Sequence, residues 1–140
     1  HVDLLLIKPW RLTLTPGHEP ALGGPADILV ANPVAFIAQK LLIHEKRKPE
    51  KRAQDVLYVH DTLQLFGGAL DQLRSLWIQD MRPQMGAAVA ARITRLRGEQ
   101  YGTVTDAIRS AALIPEGRTL APDEIRAVCD LALAELFSAG

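Results

Sequence analysis

The segment from Pro33 to about residue 45 is apolar on nearly every side when it is drawn as an α-helix. A helix of this kind is normally buried in the core of a protein. Lys40 nevertheless lies in the middle of the segment, in one row with Phe36 and His44. A lysine in that position has to reach solvent, pair with an acid or line a cleft, because burying an unpaired charge is costly.

A second helix is predicted over about 51–66, ending at the glycine pair that begins with Gly67. On this helix, Arg52 and Asp55 both border the apolar stripe that should face the core. Since a short loop joins the two helices, an antiparallel hairpin brings these charges close to Lys40. Two interpretations are open. Either Lys40 or Arg52 forms a structural ion pair with Asp55, or the charges form a cluster at a phosphate-binding cleft.

The connection between these two helices is strongly basic. Five cations fall within seven positions, and Glu50 is the only acid among them. The cations are Lys46, Arg47, Lys48, Lys51 and Arg52. A run of this kind is either a solvated turn or a surface that contacts phosphate or RNA.

Residues 1–32 contain three short apolar runs that are candidate strands: Val2 to Ile7, Leu12 to Leu14, and Ala26 to Ala31. Proline and glycine mark the loop from residue 8 to residue 25. Asp3 places a carboxylate inside the first of these runs. It either pairs with a lysine near an exposed strand end or binds Mg²⁺, which prefers hard oxygen ligands.

The remainder of the chain is predicted to be helical. A region over about 69–97 should be kinked or split at Pro83, and the last helix should begin at Pro122. The predicted fold is therefore α+β and mostly α, with two or three N-terminal strands followed by a bundle of about five helices. We divide it into a sheet (1–32), a helical hairpin that carries the charges (33–68) and a C-terminal helical region (69–140) packed with the hairpin as one unit.

Composition narrows the classes of function. The chain has 16 basic and 16 acidic residues, so its net charge does not point to nucleic-acid or membrane binding. The single cysteine, Cys129, excludes an internal disulfide and a cysteine-based zinc site, and it fits a reducing compartment. No apolar run approaches the length of a membrane span, and no signal peptide is visible. These features predict a cytoplasmic protein without a membrane partner.

One pattern in the chain resembles a known family. The run from Pro33 to Leu42, followed by Arg47 and then Lys51 to Val56, is similar to the bacterial nucleotidyltransferase-fold proteins related to AbiEii-type abortive-infection toxins. Those proteins have a helix of the form Pro-x-x-(aromatic or Leu)-x-x-x-Lys-Leu, then a basic loop, then Lys/Arg-x-x-Asp at the start of the next helix. Here the helix lysine is Lys40 and the acid is Asp55.

The resemblance implies that the parent protein transfers a nucleotidyl group from a nucleoside triphosphate, with Mg²⁺ as cofactor. It implies a nucleotide-binding set in which cations contact phosphates and Asp55 orients one of them. The cations of this set are Lys40, Arg47, Lys51 and Arg52. The acceptor would be an RNA, a protein or a small molecule, and an antitoxin or a second copy of the chain would be a further partner.

By the same resemblance, Asp3 matches the strand that carries the third metal-binding carboxylate of the family, and it would be a catalytic magnesium ligand. The two earlier acids of the family belong to a Gly-Ser…Asp-x-Asp element, which these 140 residues lack. Because the chain also enters an apolar run directly after His1, we expect the C-terminal piece of a longer protein, inactive by itself. The alternative is a non-enzymatic helical module for a partner protein or RNA, in which Lys40 and Asp55 only hold the hairpin together.

Overall fold

A computed structural model describes residues 2–17 and 21–138 of the chain, so residues 18–20 of the predicted loop lie outside the described part. A two-stranded antiparallel sheet stands at the N-terminal end, with β1 over Trp10–Leu14 and β2 over Ala26–Val30. Trp10 pairs with Val30 and Leu14 with Ala26. Two of the three predicted strands are thus confirmed, with β1 two residues longer than expected.

The predicted strand from Val2 to Ile7 is wrong. Val2–Leu6 forms a 3₁₀ helix instead. A single apolar run does not distinguish a strand from a short helix, and within the described residues the sheet contains only β1 and β2. The helical turn satisfies its own backbone, places Leu4 in the core and leaves Asp3 exposed to solvent.

Seven α-helices follow within the described residues: α1 Pro33–Ile43, α2 Pro49–Leu65, α3 Leu70–Leu76, α4 Arg82–Met85, α5 Ala87–Tyr101, α6 Asp106–Ala112 and α7 Pro122–Leu136. A 3₁₀ turn, His44–Lys46, separates α1 from α2. The fold is therefore α+β and mostly α, as predicted. The second helix begins earlier than the sequence suggested, because Pro49 takes the first helical position, where its missing N–H is tolerated.

The helical region is interrupted near Pro83, as predicted, and the interruption has two parts. A π-helical turn over Trp77–Met81 precedes α4, and Gly86 follows α4 as its C-cap. Gly86 has φ 87°, a backbone conformation that glycine adopts without strain and other residues rarely do. The break thus combines a proline that removes one helical hydrogen bond with a glycine that turns the chain into α5.

One continuous core extends from Leu4 at the N-terminal end to Phe137 at the end of α7. Helix α1 lies deep in it, with Val34, Ile37 and Leu41 almost inaccessible to solvent. Burial of each such side chain contributes about 1.5–3 kcal/mol of transfer free energy. The apolar character of α1 is thus explained by burial, and the lysine in its middle requires a specific partner.

Asn32 fixes the start of α1. Its side-chain oxygen accepts a hydrogen bond from the backbone N–H of Ala35, at 2.8 Å, as expected of an N-cap. Its side-chain amide donates to the carbonyls of Ile7 (2.8 Å) and Lys8 (3.1 Å). The same residue therefore links the chain just after the 3₁₀ segment to the start of α1.

Candidate functional site

Asp55 is the centre of a charged cluster that it forms with Lys40 and Arg47. Its side chain is 2% exposed, and both carboxylate oxygens accept hydrogen bonds from cations. Lys40 Nζ lies 3.1 Å from Oδ1. Arg47 Nε lies 2.9 Å from Oδ2, and Arg47 Nη2 lies 3.2 Å from Oδ1. The guanidinium therefore binds the carboxylate with two parallel contacts, the strong geometry for this pair.

Three segments supply these groups. Lys40 belongs to the last turn of α1, Arg47 follows the 3₁₀ turn, and Asp55 lies in the second turn of α2. The hydrogen bonds to Asp55 raise the pKa of the Arg47 guanidinium above its usual value, although its partial burial opposes this effect. The cluster thus ties α1, the connection and α2 together through one buried carboxylate.

Aromatic rings enclose the lysine. Lys40 Nζ lies 5.3 Å from the centroid of the Phe36 ring and 6.0 Å from that of Tyr58. Both distances fall within or at the limit of cation–π attraction. The ammonium group therefore sits between a carboxylate and two rings, and its side chain keeps 14% exposure. The position of Phe36 beside Lys40 follows from their shared helical row, whereas Tyr58 was not predicted to be part of this cluster.

Of the two partners that the sequence left open for Asp55, the structure shows Lys40, whereas Arg52 binds elsewhere. Arg52 Nε donates to the carbonyl of His44 at 2.9 Å, and Arg52 Nη2 donates to the carbonyl of Glu45 at 2.6 Å. A cation at the carbonyls that follow the C-terminal end of a helix is stabilising. The arginine that binds Asp55 is therefore Arg47 and not Arg52.

The rest of the basic connection faces solvent. Lys51 is exposed and donates to the side chain of Gln54 at 3.3 Å, away from Asp55. Lys46 and Lys48 are exposed as well. Because Asp55 carries one negative charge and is shared by two cations, the cluster keeps an excess positive charge.

His44 lies beside this cluster in a cavity of about 300 Å³ that Pro49, Arg52, Thr105 and Asp106 also line. Burial, followed by the charge of Arg52, lowers the pKa of His44 below its usual 6.5, against opposing effects of nearby acids. The imidazole is therefore neutral at pH 7. It adds a neutral donor or acceptor to this cavity and no further positive charge.

Asp3 lies apart from the cluster, on the rim of a cavity of about 420 Å³ with Ile7, Leu42, Gln84 and Met85. Among the described residues that line this cavity, Asp3 is the only carboxylate. In residues 2–17 and 21–138, no three His, Cys, Asp or Glu side chains are grouped to hold a metal ion. The predicted catalytic and metal-binding role of Asp3 stays a prediction.

None of the helices formed by the described residues is long and apolar enough to cross a lipid bilayer. A scan against protein-family models and searches of curated proteins and of solved structures found no match to this chain.

Proposed function

We propose that this chain is the C-terminal helical part of a nucleotidyltransferase-like protein, and that Lys40 and Arg47 contact the phosphates of a nucleoside triphosphate. The resemblance of the segment from Pro33 to Val56 to that family supports the proposal. The proposed location is the cytoplasm, where nucleoside triphosphates are abundant and Cys129 stays reduced.

The observation that carries the proposal is the charge balance at Asp55. One buried carboxylate holds two cations, whose side chains keep 14% (Lys40) and 34% (Arg47) exposure. By holding both, the carboxylate fixes their positions and leaves a net positive charge for a phosphate, which Arg binds through a planar fork and Lys as a point charge.

In this proposal Asp55 is a positioning residue. Its two oxygens hold Lys40 Nζ and the Arg47 fork on one side of the hairpin, so little ordering is needed when a phosphate binds. Arg52 donates to the carbonyls of His44 and Glu45 and so orders the connection between the helices. In this proposal it does not touch the phosphate itself. Lys51 adds to the local positive potential.

The transfer reaction itself requires groups outside the described residues. The resemblance assigns Mg²⁺ to carboxylates that include a Gly-Ser…Asp-x-Asp element, and that element is not in this sequence. Its presence upstream in the full-length gene product is the decisive test of the enzymatic part of the proposal. A full-length protein without those acids would leave nucleotide binding as the proposed function and would rule out the transferase.

The binding part is tested by isothermal titration of the chain with magnesium adenosine triphosphate. We expect saturable 1:1 binding that Arg47→Lys weakens by about tenfold, because the substitution keeps the charge but loses the bidentate fork. Arg95→Lys is the matched control, since Arg95 is an exposed cation on α5 whose partner is Glu99. If Arg47→Lys leaves the affinity unchanged, or if Arg95→Lys weakens it as much, the proposed site is rejected.

The contacts of Asp55 and Arg52 also favour a second, purely structural role for the cluster. Both oxygens of Asp55 are occupied, and Arg52 is bound to backbone carbonyls, so these charges also suffice to pin the hairpin. On this alternative, the chain is a non-enzymatic helical module that binds a partner protein or RNA elsewhere. The alternative predicts that neither nucleotide nor inorganic phosphate competes for the cluster.

A further inference from the structure

A groove of about 540 Å³ lies between the β-hairpin and the helix pair α1–α2. Its walls are almost entirely apolar, and they include Trp10, Leu12, Val30, Phe36, Thr62 and Phe66. Its volume falls within the range of small-molecule sites. Three aromatic rings at one groove are a notable concentration in a chain where aromatic residues make up 5%.

The groove is contiguous with the charged cluster. On α1, Phe36 lines the groove and its ring lies 5.3 Å from Lys40 Nζ, one helical turn away. On α2, Thr62 lines the groove two turns after Asp55, a rise of about 10.5 Å along the helix axis. The two helices thus form one continuous surface. It is positively charged at one end, and it is apolar and aromatic at the other end.

The β-hairpin formed by β1 and β2 completes the aromatic wall. In the register of the sheet, Trp10, Leu12 and Leu14 share one face with Val30, Ile28 and Ala26. Trp10 packs edge-on against Phe66, with ring centroids 5.7 Å apart, yet keeps 37% exposure. A ring held in this way is ordered and still accessible, as a stacking platform must be.

We infer that this groove takes the base of the nucleotide whose phosphates Lys40 and Arg47 contact, an inference that rests on the proposed function. The complementary ligand has a flat apolar part and an anionic part, because aromatic walls favour stacking and the cluster carries excess positive charge. The indole of Trp10 and the hydroxyl of Thr62 are the polar side-chain groups among the described lining residues, and Thr62 already donates to the carbonyl of Tyr58. With so few groups to read a base edge, the groove discriminates weakly between bases.

The test compares adenosine triphosphate, adenosine and inorganic tripolyphosphate by calorimetry and by tryptophan fluorescence. The chain has two tryptophans, and Trp77 is only 1% exposed, so a change in emission on binding reports Trp10. We expect adenosine triphosphate to quench Trp10 and to bind about tenfold tighter than tripolyphosphate, the size of one base–aromatic stack. Uridine triphosphate should bind within about tenfold of the adenine nucleotide, for the same reason.

Trp10→Leu should weaken adenosine triphosphate about tenfold and leave tripolyphosphate unchanged. Leu29→Ala is the matched control, because Leu29 is exposed on the opposite face of the same hairpin. Thr62→Phe is a second variant that narrows the groove from α2 and leaves the hairpin unaltered. It should likewise weaken the nucleotide and spare tripolyphosphate.

The outcomes separate this inference from the proposed function. Equal affinities for adenosine triphosphate and tripolyphosphate, unaffected by Trp10→Leu, would overturn the base site while the phosphate site stands. Binding of adenosine without binding of tripolyphosphate would support the groove and reject the phosphate site. Binding of none of the three compounds would overturn both.

Discussion

The buried carboxylate of Asp55 can be tested by Asp55→Asn, which removes its charge and keeps its size. Breaking a buried ion pair by removing one partner costs about 3–5 kcal/mol. Lys40 keeps 14% exposure and can regain some water, so we expect a loss of about 2–4 kcal/mol in the free energy of unfolding. Lys40→Met should cost less, about 1–2 kcal/mol, because Arg47 still holds the carboxylate.

The double variant Lys40→Met/Asp55→Asn should lose less than the sum of the two single losses. Residues in direct contact show coupling energies of about 0.5–3 kcal/mol in such cycles. Asp130→Asn is the matched control: Asp130 is 38% exposed and pairs with Arg97 and Arg126, so we expect less than about 1 kcal/mol.

The assay is urea unfolding followed by circular dichroism, in which a stability change moves the midpoint while the denaturant slope stays constant. If Asp55→Asn destabilises the chain no more than Asp130→Asn, the carboxylate does not hold two desolvated contacts. Strict additivity of Lys40→Met and Asp55→Asn would also refute the direct pair.

Three further predictions concern residues around the core. Stability should fall as pH drops through about 6.5, because the pKa of His44 is lower in the folded chain and the unfolded chain binds more protons; His44→Gln should flatten that part of a pH–stability curve. Burial, with a smaller effect of Asp61, raises the pKa of the Cys129 thiol to about 12, so a thiol reagent at pH 8 should modify Cys129 only after unfolding in urea. Asn32→Ala should cost about 2 kcal/mol by removing the N-cap and leaving two carbonyls without their donor; a loss below that of the Asp130→Asn control in thermal unfolding would contradict this.

The Lys40–Asp55 contact could be predicted because helical periodicity alone places both charges against the core. An apolar helix leaves a lysine few options, and the nearest acid on the next helix is the natural partner. The identity of the arginine could not be predicted in the same way. The 3₁₀ turn His44–Lys46 orients Arg47 towards Asp55, and such a turn has no periodic sequence pattern.

Arg52 illustrates how local backbone chemistry competes with a charge. Its spacing on α2 suggested the carboxylate, yet its guanidinium donates to the carbonyls of His44 and Glu45 in the 3₁₀ turn after α1. Likewise, the segment Val2–Leu6 reads as a strand by composition, but no neighbouring strand among the described residues offers it hydrogen bonds. The first outcome depends on the geometry of a short turn and the second on the absence of a pairing strand among the described residues, and neither has a periodic sequence pattern.

The groove beside the cluster was missed for a related reason. Trp10, Phe36 and Phe66 each look like ordinary core residues in the sequence, and they are far apart along the chain. Only the packing of the hairpin on α1 and α2 brings them to one cavity. Asp55 and Thr62 are seven positions apart on α2, so helical spacing places them on one face, but it does not show which groups lie opposite.

The claim that Lys40 and Arg47 form a phosphate site is tested most directly by NMR of the ¹⁵N-labelled chain during titration with inorganic tripolyphosphate. The Nε–H of Arg47 faces Asp55, whereas those of Arg52 and Arg95 bind a backbone carbonyl and Glu99. We predict a saturable shift of the Arg47 Nε–H signal and of the amides around Lys40, with the Arg95 signal unmoved. Equal, unsaturable shifts of all three arginine signals, or no shift at Arg47, would contradict the claim.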